Sequence, residues 1–217
     1  GDNERFLRMW FEVSRDKMGL NMQNAIQAQK SKKKWFPYNK GGDGRLWYGN
    51  NTLVVNWEND GYEIKENTKR VYPQLGENLG WKITNEQDYF KEGITWTALT
   101  SSRNTFRFSK EGSIFDSNKG PMLFAENKVL LYLLGILNSN VAAYFLSIIN
   151  PTLSLQNGDL GNLPIIKSNN TEYVEKIVKC NIMFSQRDWD SFETSWDFQH
   201  HPLLHRVSKI ADAFNQW

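Results

Sequence analysis

One cysteine, Cys180, among 217 residues leaves no partner for an intrachain disulfide and no cysteine-based zinc set. That usage suits a reducing compartment, and a cytoplasmic location is expected. Histidine is nearly as scarce. His200, His201 and His205 all fall near the C-terminus, so no Ser-His-Asp arrangement can be read. His201 and His205 stand four apart, but no second ligand pair accompanies them, and a helix start with Pro202 in its first turn is the expectation rather than a metal site. The opening Gly1-Asp2-Asn3 carries no Met, no charged leader and no apolar signal core, which reads as an excised fragment or processed chain. Charge is nearly balanced at +2 but unevenly placed. Residues 1–50 hold ten Lys/Arg against five Asp/Glu, and the remainder holds sixteen against nineteen, so a polyanion-facing N-terminal region is permitted.

Long apolar runs are absent except at 126–149. The stretch from Val129 to Ile149 has the length of a membrane span, but Asn138-Ser139-Asn140 sits in its middle and no basic flank anchors an end. Two short buried helices, the second capped by Asn138 or Ser139, are expected, and no membrane partner.

What the chain does have is aromatic side chains: nine Trp, eight Tyr and thirteen Phe, available for cores or binding faces. Residues 5–14 fit either a strand or a helix, and 21–31 read as a short polar helix. Trp35-Phe36-Pro37-Tyr38 and Leu46-Trp47-Tyr48 flank Lys40-Gly41-Gly42-Asp43-Gly44, a hairpin or a loop between strands. Leu53 to Trp57, then Asn59-Asp60-Gly61, then Tyr62 to Lys65 read as a second hairpin. Residues 66–90 read as irregular, and strands are expected at 94–99, 104–109, 112–116 and around 153–156. Leu163 to Ile166 read as extended, and the tail from 171 as helical.

The strongest chemical signal is Lys30-Ser31-Lys32-Lys33-Lys34-Trp35-Phe36-Pro37-Tyr38-Asn39-Lys40-Gly41-Gly42. Lysines neutralise phosphates, aromatics stack on exposed bases, and a glycine turn lets backbone N–H groups approach phosphate oxygens. A solvated lysine run before a buried strand explains the same composition equally well. Thr95, Ser101, Ser102, Arg103 and Arg107 form a second polar cluster, suited to base edges or phosphates, or simply to the exposed polar face of a strand. Asp60, Glu63 and Lys65 carry the residue types of a Mg²⁺ nuclease, although a turn and then a strand account for them better. Gly41-Gly42-x-Gly44 matches neither a Walker loop nor a dinucleotide fingerprint.

Several blocks together resemble one family. They include Gly1-Asp2-Asn3-Glu4-Arg5-Phe6-Leu7-Arg8, Lys34-Trp35-Phe36-Pro37-Tyr38-Asn39-Lys40-Gly41-Gly42, Trp47-Tyr48-Gly49-Asn50 and Val54-Val55-Asn56-Trp57-Glu58-Asn59-Asp60-Gly61. Phe90 to Trp96, Leu134-Gly135-Ile136-Leu137-Asn138-Ser139, Asn150-Pro151-Thr152, Gly158 to Ile165 and Ser185 to Phe198 complete the set. Their order resembles the region after the catalytic domain in BREX-type adenine-specific DNA methyltransferases and related type IIG restriction–modification enzymes. The resemblance covers nearly the whole chain. It implies a region that reads double-stranded DNA, attached to a catalytic domain on the same polypeptide that uses S-adenosylmethionine to methylate adenine N6.

The family's Asn-Pro-Pro-Tyr/Phe signature is missing here. The nearest string, Asn150-Pro151-Thr152-Leu153, has neither the second proline nor the ring that stacks on a flipped base. No catalytic residue, cofactor or metal is therefore assigned to this chain, which is not expected to methylate alone. The expected fold is α+β, with a β-rich DNA-recognition lobe at 1–124 and a mainly helical part at 125–217 that docks the catalytic domain, the two being either separate or one continuous domain. Lys32, Lys33, Lys34 and Lys40 are the expected phosphate contacts. Arg45, Thr95, Ser101, Ser102, Arg103 and Arg107 are the base-edge candidates. Trp35 and Trp96 are expected to pack rather than stack. Two rival readings are an aromatic-rich carbohydrate- or protein-binding module and the nuclease.

Overall fold

A computed structural model describes residues 3–166, 170–204 and 209–216. The ambiguous N-terminal stretch contains both expected conformations: α1 (Asn3–Phe6) buries Phe6, and β1 (Leu7–Met9) comes directly after it. Helix α2 (Ala25–Lys30) begins where Asn24 Oδ1 accepts from the Gln27 N–H at 2.9 Å, so the sequence reading of a short polar helix holds. Strand β2 (Trp35–Asn39) then pairs antiparallel with β3 (Leu53–Asn56), Phe36 lying opposite Val55, while β1 pairs with the other side of β3. The glycine-rich stretch between β2 and β3 is thus a loop, and Leu46 to Tyr48 form no strand; Trp47 makes only an isolated bridge to Arg107.

The second expected hairpin needs correcting. Asn59, Asp60 and Gly61 do turn sharply, all three in the left-handed region (φ 50°, 60° and 71°), but the chain leaves the turn as a helix. The helical segment α3 (Glu58–Val71) buries Asn67 and Thr68 and packs Ile64 on the core, so a 3.6-residue period running past Lys65 outweighs the short alternation of Tyr62 to Lys65. Short 3-10 turns occupy much of 73–88.

Strands β4 (Gly93–Trp96), β5 (Phe106–Ser109) and β6 (Ile114–Phe115) fall within or close to the expected spans, whereas β7 (Met122–Leu123) lies outside them. They divide between two sheets, ordered β1-β3-β2-β6 and β5-β4-β7. The stretch around 153–156 contributes only a bridge between Ser154 and Leu99.

The apolar run becomes α4 (Asn127–Leu137) and α5 (Asn140–Ile149), bent by 75° at the Asn-Ser-Asn break, with Ser139 Oγ accepting from the Ala142 N–H. No single described helix is long and apolar enough to cross a membrane. A short α6 (Asn157–Gly161), a long α7 (Thr171–Asp190) and α8 (Ile210–Gln216) complete the α+β fold. Pro202 lies in a turn rather than a helix start, and His205 is outside the described residues.

Two cores result. Ile94, Trp96 and Phe106 pack on Leu130, Leu134 and Leu137 of α4, with Leu146 and Val178 closing the far side, so this core spans both sides of residue 124. Gly135 lets α7 come close, since a Cβ there would lie 2.9 Å from Val178. The second core joins Phe36, Val55, Trp57, Phe90 and Phe115 under the first sheet.

One polar side chain ties helices to sheet. Asn138 is buried; its Oδ1 accepts from the Phe106 N–H at 3.0 Å and its Nδ2 donates to the Phe106 carbonyl at 2.9 Å, as a neighbouring strand would. Removing the amide leaves the Phe106 N–H without its partner. Asn138→Ala is therefore expected to cost about 2–3 kcal/mol, from a broken buried bond pair and an orphaned donor, read as a lowered urea midpoint at unchanged m-value.

Candidate nucleic-acid interface

Strand β2 separates the basic residues that sequence grouped together. Lys32, Lys33 and Lys34 precede it and Lys40 comes after it, so Lys34 and Lys40 stand about 20 Å apart along an extended chain. Lys32 is exposed, with a left-handed backbone (φ 54°) at the turn out of α2. Lys33 donates to the Asp16 carbonyl. Lys34 is already paired, with Glu63 at 3.2 Å and Glu58 at 3.4 Å. Burial works against its charge, but hydrogen bonds and charge from the two glutamates win and hold its ammonium above the ordinary lysine value.

Lys40 belongs to a different neighbourhood. Its loop packs on the backbone of residues 119–120, where a Cβ on Gly120 would lie 2.6 Å from the Gly41 nitrogen. Burial and then the nearby Lys119 push Lys40 below the ordinary value, against the pull of Asp116. Gly41 and Gly42 take positive φ (85° and 122°), and the Gly42 carbonyl accepts from Thr97 Oγ1 at 2.8 Å. Gly44 faces Ser102, and Arg45 lies over the Trp189 ring at 4.9 Å while pairing with Asp188 at 3.5 Å.

Beside this loop an open groove of about 520 Å³ is lined by Thr100, Ser101, Ser102, Arg103 and Asn104 on one wall and by Ser147, Asn150 and Thr152 on the other. Arg103 is exposed but held: its Nη2 donates to the Asn138 carbonyl at 2.7 Å and its Nη1 to Asn140 Oδ1 at 2.8 Å. The break between α4 and α5 thus positions the one arginine of this groove. Ser101, Ser102 and Arg103 come together here as the sequence pattern grouped them. Thr100 and Asn104 adjoin them in the chain, whereas Asn150 and Thr152 join them only through the fold, because the second wall is supplied from far downstream.

Three of the base-edge candidates lie outside this groove: Arg45, placed over Trp189, and Thr95 and Arg107. Thr95 is buried and donates to the Pro121 carbonyl at 3.0 Å. Arg107 is 1% exposed beneath the glycine loop, so it touches no solvent-facing edge in this state. The polar face of β4 and β5 is turned inward, not outward: Thr95 and Arg107 pair across it, and Ser109 accepts from Asn39 Nδ2 at 2.8 Å. Trp96 packs in the core, as expected, its indole N–H reaching the Leu155 carbonyl.

The nuclease residues do not converge. Asp60 meets Lys65 at 2.6 Å, Glu63 instead meets Lys34, and the described residues contain no cluster of three metal-ligating side chains. Nor do the residues fit S-adenosylmethionine. The glycine loop comes after a strand but leads to no helix, and its close approach is to protein backbone rather than to an open cradle.

Relatives of the chain point to the setting of this groove. No protein-family profile matches the chain. It is homologous over its full length to a segment of adenine-specific methyltransferases. One is the adenine-specific methyltransferase PglX of Lacticaseibacillus casei (strain Zhang), 38% identical across all of this chain and 18% of the relative. Another is the adenine-specific methyltransferase BrxX of Escherichia coli O9:H4 (strain HS), 35% identical across 99% of this chain and 16% of the relative. The chain therefore spans under a fifth of the length of these enzymes.

Gly41→Ala would place a Cβ 2.7 Å from the Lys119 carbonyl in a backbone conformation that alanine disfavours, and is expected to cost about 1–3 kcal/mol in a denaturant titration. Burial raises the phenols of Tyr38, Tyr48 and Tyr89, aided by Asp116 for Tyr38, by Asp190 for Tyr48 and by Glu86 for Tyr89. The folded chain holds these protons where the unfolded chain releases them, so their contribution is complete below pH ~10 and lost above it. Arg107, lowered to about 10 by burial and then by Arg45, opposes this with one group against three. The net stability is expected to fall between pH ~9 and ~11, less steeply in Tyr89→Phe, when chemical unfolding is tracked across that range.

Proposed function

We propose that this chain is the DNA target-recognition region of an S-adenosylmethionine-dependent N6-adenine DNA methyltransferase, lying C-terminal to the catalytic domain, in a cytoplasmic phage-defence or restriction–modification system. The observation that carries the reading is a pairing: full-length homology to adenine-specific methyltransferases in a chain without the Asn-Pro-Pro-Tyr/Phe motif. Such a segment has substrate recognition or docking as its remaining tasks. The groove of Ser101, Ser102 and Arg103 supports recognition. It presents hydroxyls, amides and one fixed guanidinium, the groups that read base edges and phosphates.

Within this proposal Lys32, Lys33 and Lys40 contact phosphates and Arg103 reads a base edge, with Ser101 and Ser102 beside it. Lys34 adds field but stays with its glutamates. Thr95 serves the sheet. For the aromatic-module reading, Tyr48, Trp57, Trp96 and Trp189 are buried but Phe11, Tyr62, Trp81 and Tyr144 are exposed, so salt dependence decides between the two.

Duplex binding across a salt series tests the proposal. Binding should weaken with salt, and Lys32/Lys33/Lys40→Ala should flatten the log–log slope by about one for each phosphate no longer neutralised. Lys34 is left intact so that Glu58 and Glu63 keep their partner. Arg103→Ala should relax preference at one position of a randomised duplex pool, by about 1–3 kcal/mol of discrimination. Salt-independent affinity, or an unchanged slope in the triple variant, would turn the reading toward the aromatic module.

A further inference from the structure

Arg107 holds the least compensated charge among the described residues. Its Nε and Nη1 are fully enclosed and have no hydrogen-bond partner there, and Nη2 reaches only Thr97 Oγ1, at 3.4 Å. Three N–H donors of a guanidinium are thus shut away from water without an acceptor. Burying a charge unpaired is among the costlier things a fold can do, and a methionine or leucine would fill the same space without that cost. Burial and the neighbouring Arg45 both disfavour its charge.

The cover over this arginine is slight. From Gly41 to Trp47 no residue is buried. The side-chain ties of residues 42–45 are Thr97 to the Gly42 carbonyl, Asn50 to the Asp43 carbonyl at 2.8 Å, the exposed Arg45–Asp188 pair and the stacking of Arg45 on Trp189. The loop is anchored at both ends, by β2 and by Trp47, whose backbone bonds Phe106 and Phe108 of β5. Such a segment opens locally at low cost while its ends stay in place. Thr97 Oγ1 touches both the loop and Arg107, so lifting the loop frees the hydroxyl together with the guanidinium. Lys40, Arg45 and Lys119 stand around the same loop.

We propose that Arg107 and Thr97 form a closed oxoanion seat, which takes a phosphate group when the 41–46 loop lifts away from them. Three free donors on one planar cation, a hydroxyl and surrounding positive charge match a tetrahedral dianion or a phosphodiester. The proposal rests on the DNA-recognition reading only for the carrier of the phosphate. A backbone phosphate of bound duplex and a free phosphate ion share the required chemistry.

The test compares thermal unfolding of the wild-type chain and Arg107→Met in a buffer of constant ionic strength. Inorganic phosphate or a short duplex is added separately. Phosphate also stabilises proteins by exclusion from their surfaces, so the informative quantity is the difference between the two proteins. At about tenfold over its Kd, a ligand of the seat should raise the wild-type Tm by roughly 3–6 °C beyond the shift seen in Arg107→Met. A phosphate-specific difference identifies a seat for free oxoanions. A difference with duplex alone identifies a phosphodiester seat. A phosphate difference in a chain that binds no duplex even at low salt keeps the seat and removes the DNA reading. Equal shifts in both proteins with both additives overturn the proposal. If Arg107→Met fails to fold, the arginine ¹⁵Nε–H resonances of the wild type decide. A saturable shift of a water-protected resonance on adding phosphate or duplex supports the seat, and its absence with both refutes it.

Discussion

The side chain of Asn138 holds together what the rest of the molecule needs. Its amide satisfies both backbone groups of Phe106, so the break between α4 and α5 is docked on the edge of the β5-β4-β7 sheet like an added strand. An edge strand otherwise exposes unpaired backbone. Here Asn138 covers Phe106 from one element and Trp47 covers Phe106 and Phe108 from another. The same break offers its carbonyl and Asn140 to Arg103. Core packing of the helices and orientation of the groove arginine are therefore one constraint.

Around that anchor the two faces of the second sheet have opposite tasks. Ile94, Trp96 and Phe106 make the apolar face that seats α4. Thr95, Arg107 and Ser109 make a buried polar face toward the glycine loop and Asn39. A buried polar layer is stable only when its members are satisfied, and most are. The exception is Arg107, whose guanidinium keeps three N–H donors enclosed without an acceptor.

The lysine run illustrates how composition overstates a binding surface. Residues 30–34 look like one phosphate-binding strip, yet Lys34 is half-buried between two carboxylates and Lys33 is bonded to a carbonyl. Exposed ion pairs of this kind add little to stability, but they set which charges remain available to an anion. Lys32 and Lys40, with Lys33 bonded only to a neutral carbonyl, retain that availability, and they lie on either side of a five-residue strand.

Sequence alone determined the features that depend on neighbours in the chain. The α2 helix, strands β2 to β5, the helix break at Asn138-Ser139-Asn140 and the α+β class were legible, since caps, turn residues and apolar periodicity act over a few positions; the relation to adenine-specific methyltransferases was legible only as a resemblance of sequence blocks. The Asp60-Gly61 turn was legible too, but not the helix beyond it, because the few residues from Tyr62 to Lys65 cannot distinguish a period of 2 from one of 3.6. Only the tertiary structure decided which face of β4–β5 turns inward, that Asn150 and Thr152 meet Ser101 to Arg103 across a groove, and that Arg45 approaches Arg107 while Lys34 is taken up by Glu58 and Glu63. Each of these meetings joins residues far apart in the chain, and burial, unlike propensity, is set by whatever the fold brings to the other side.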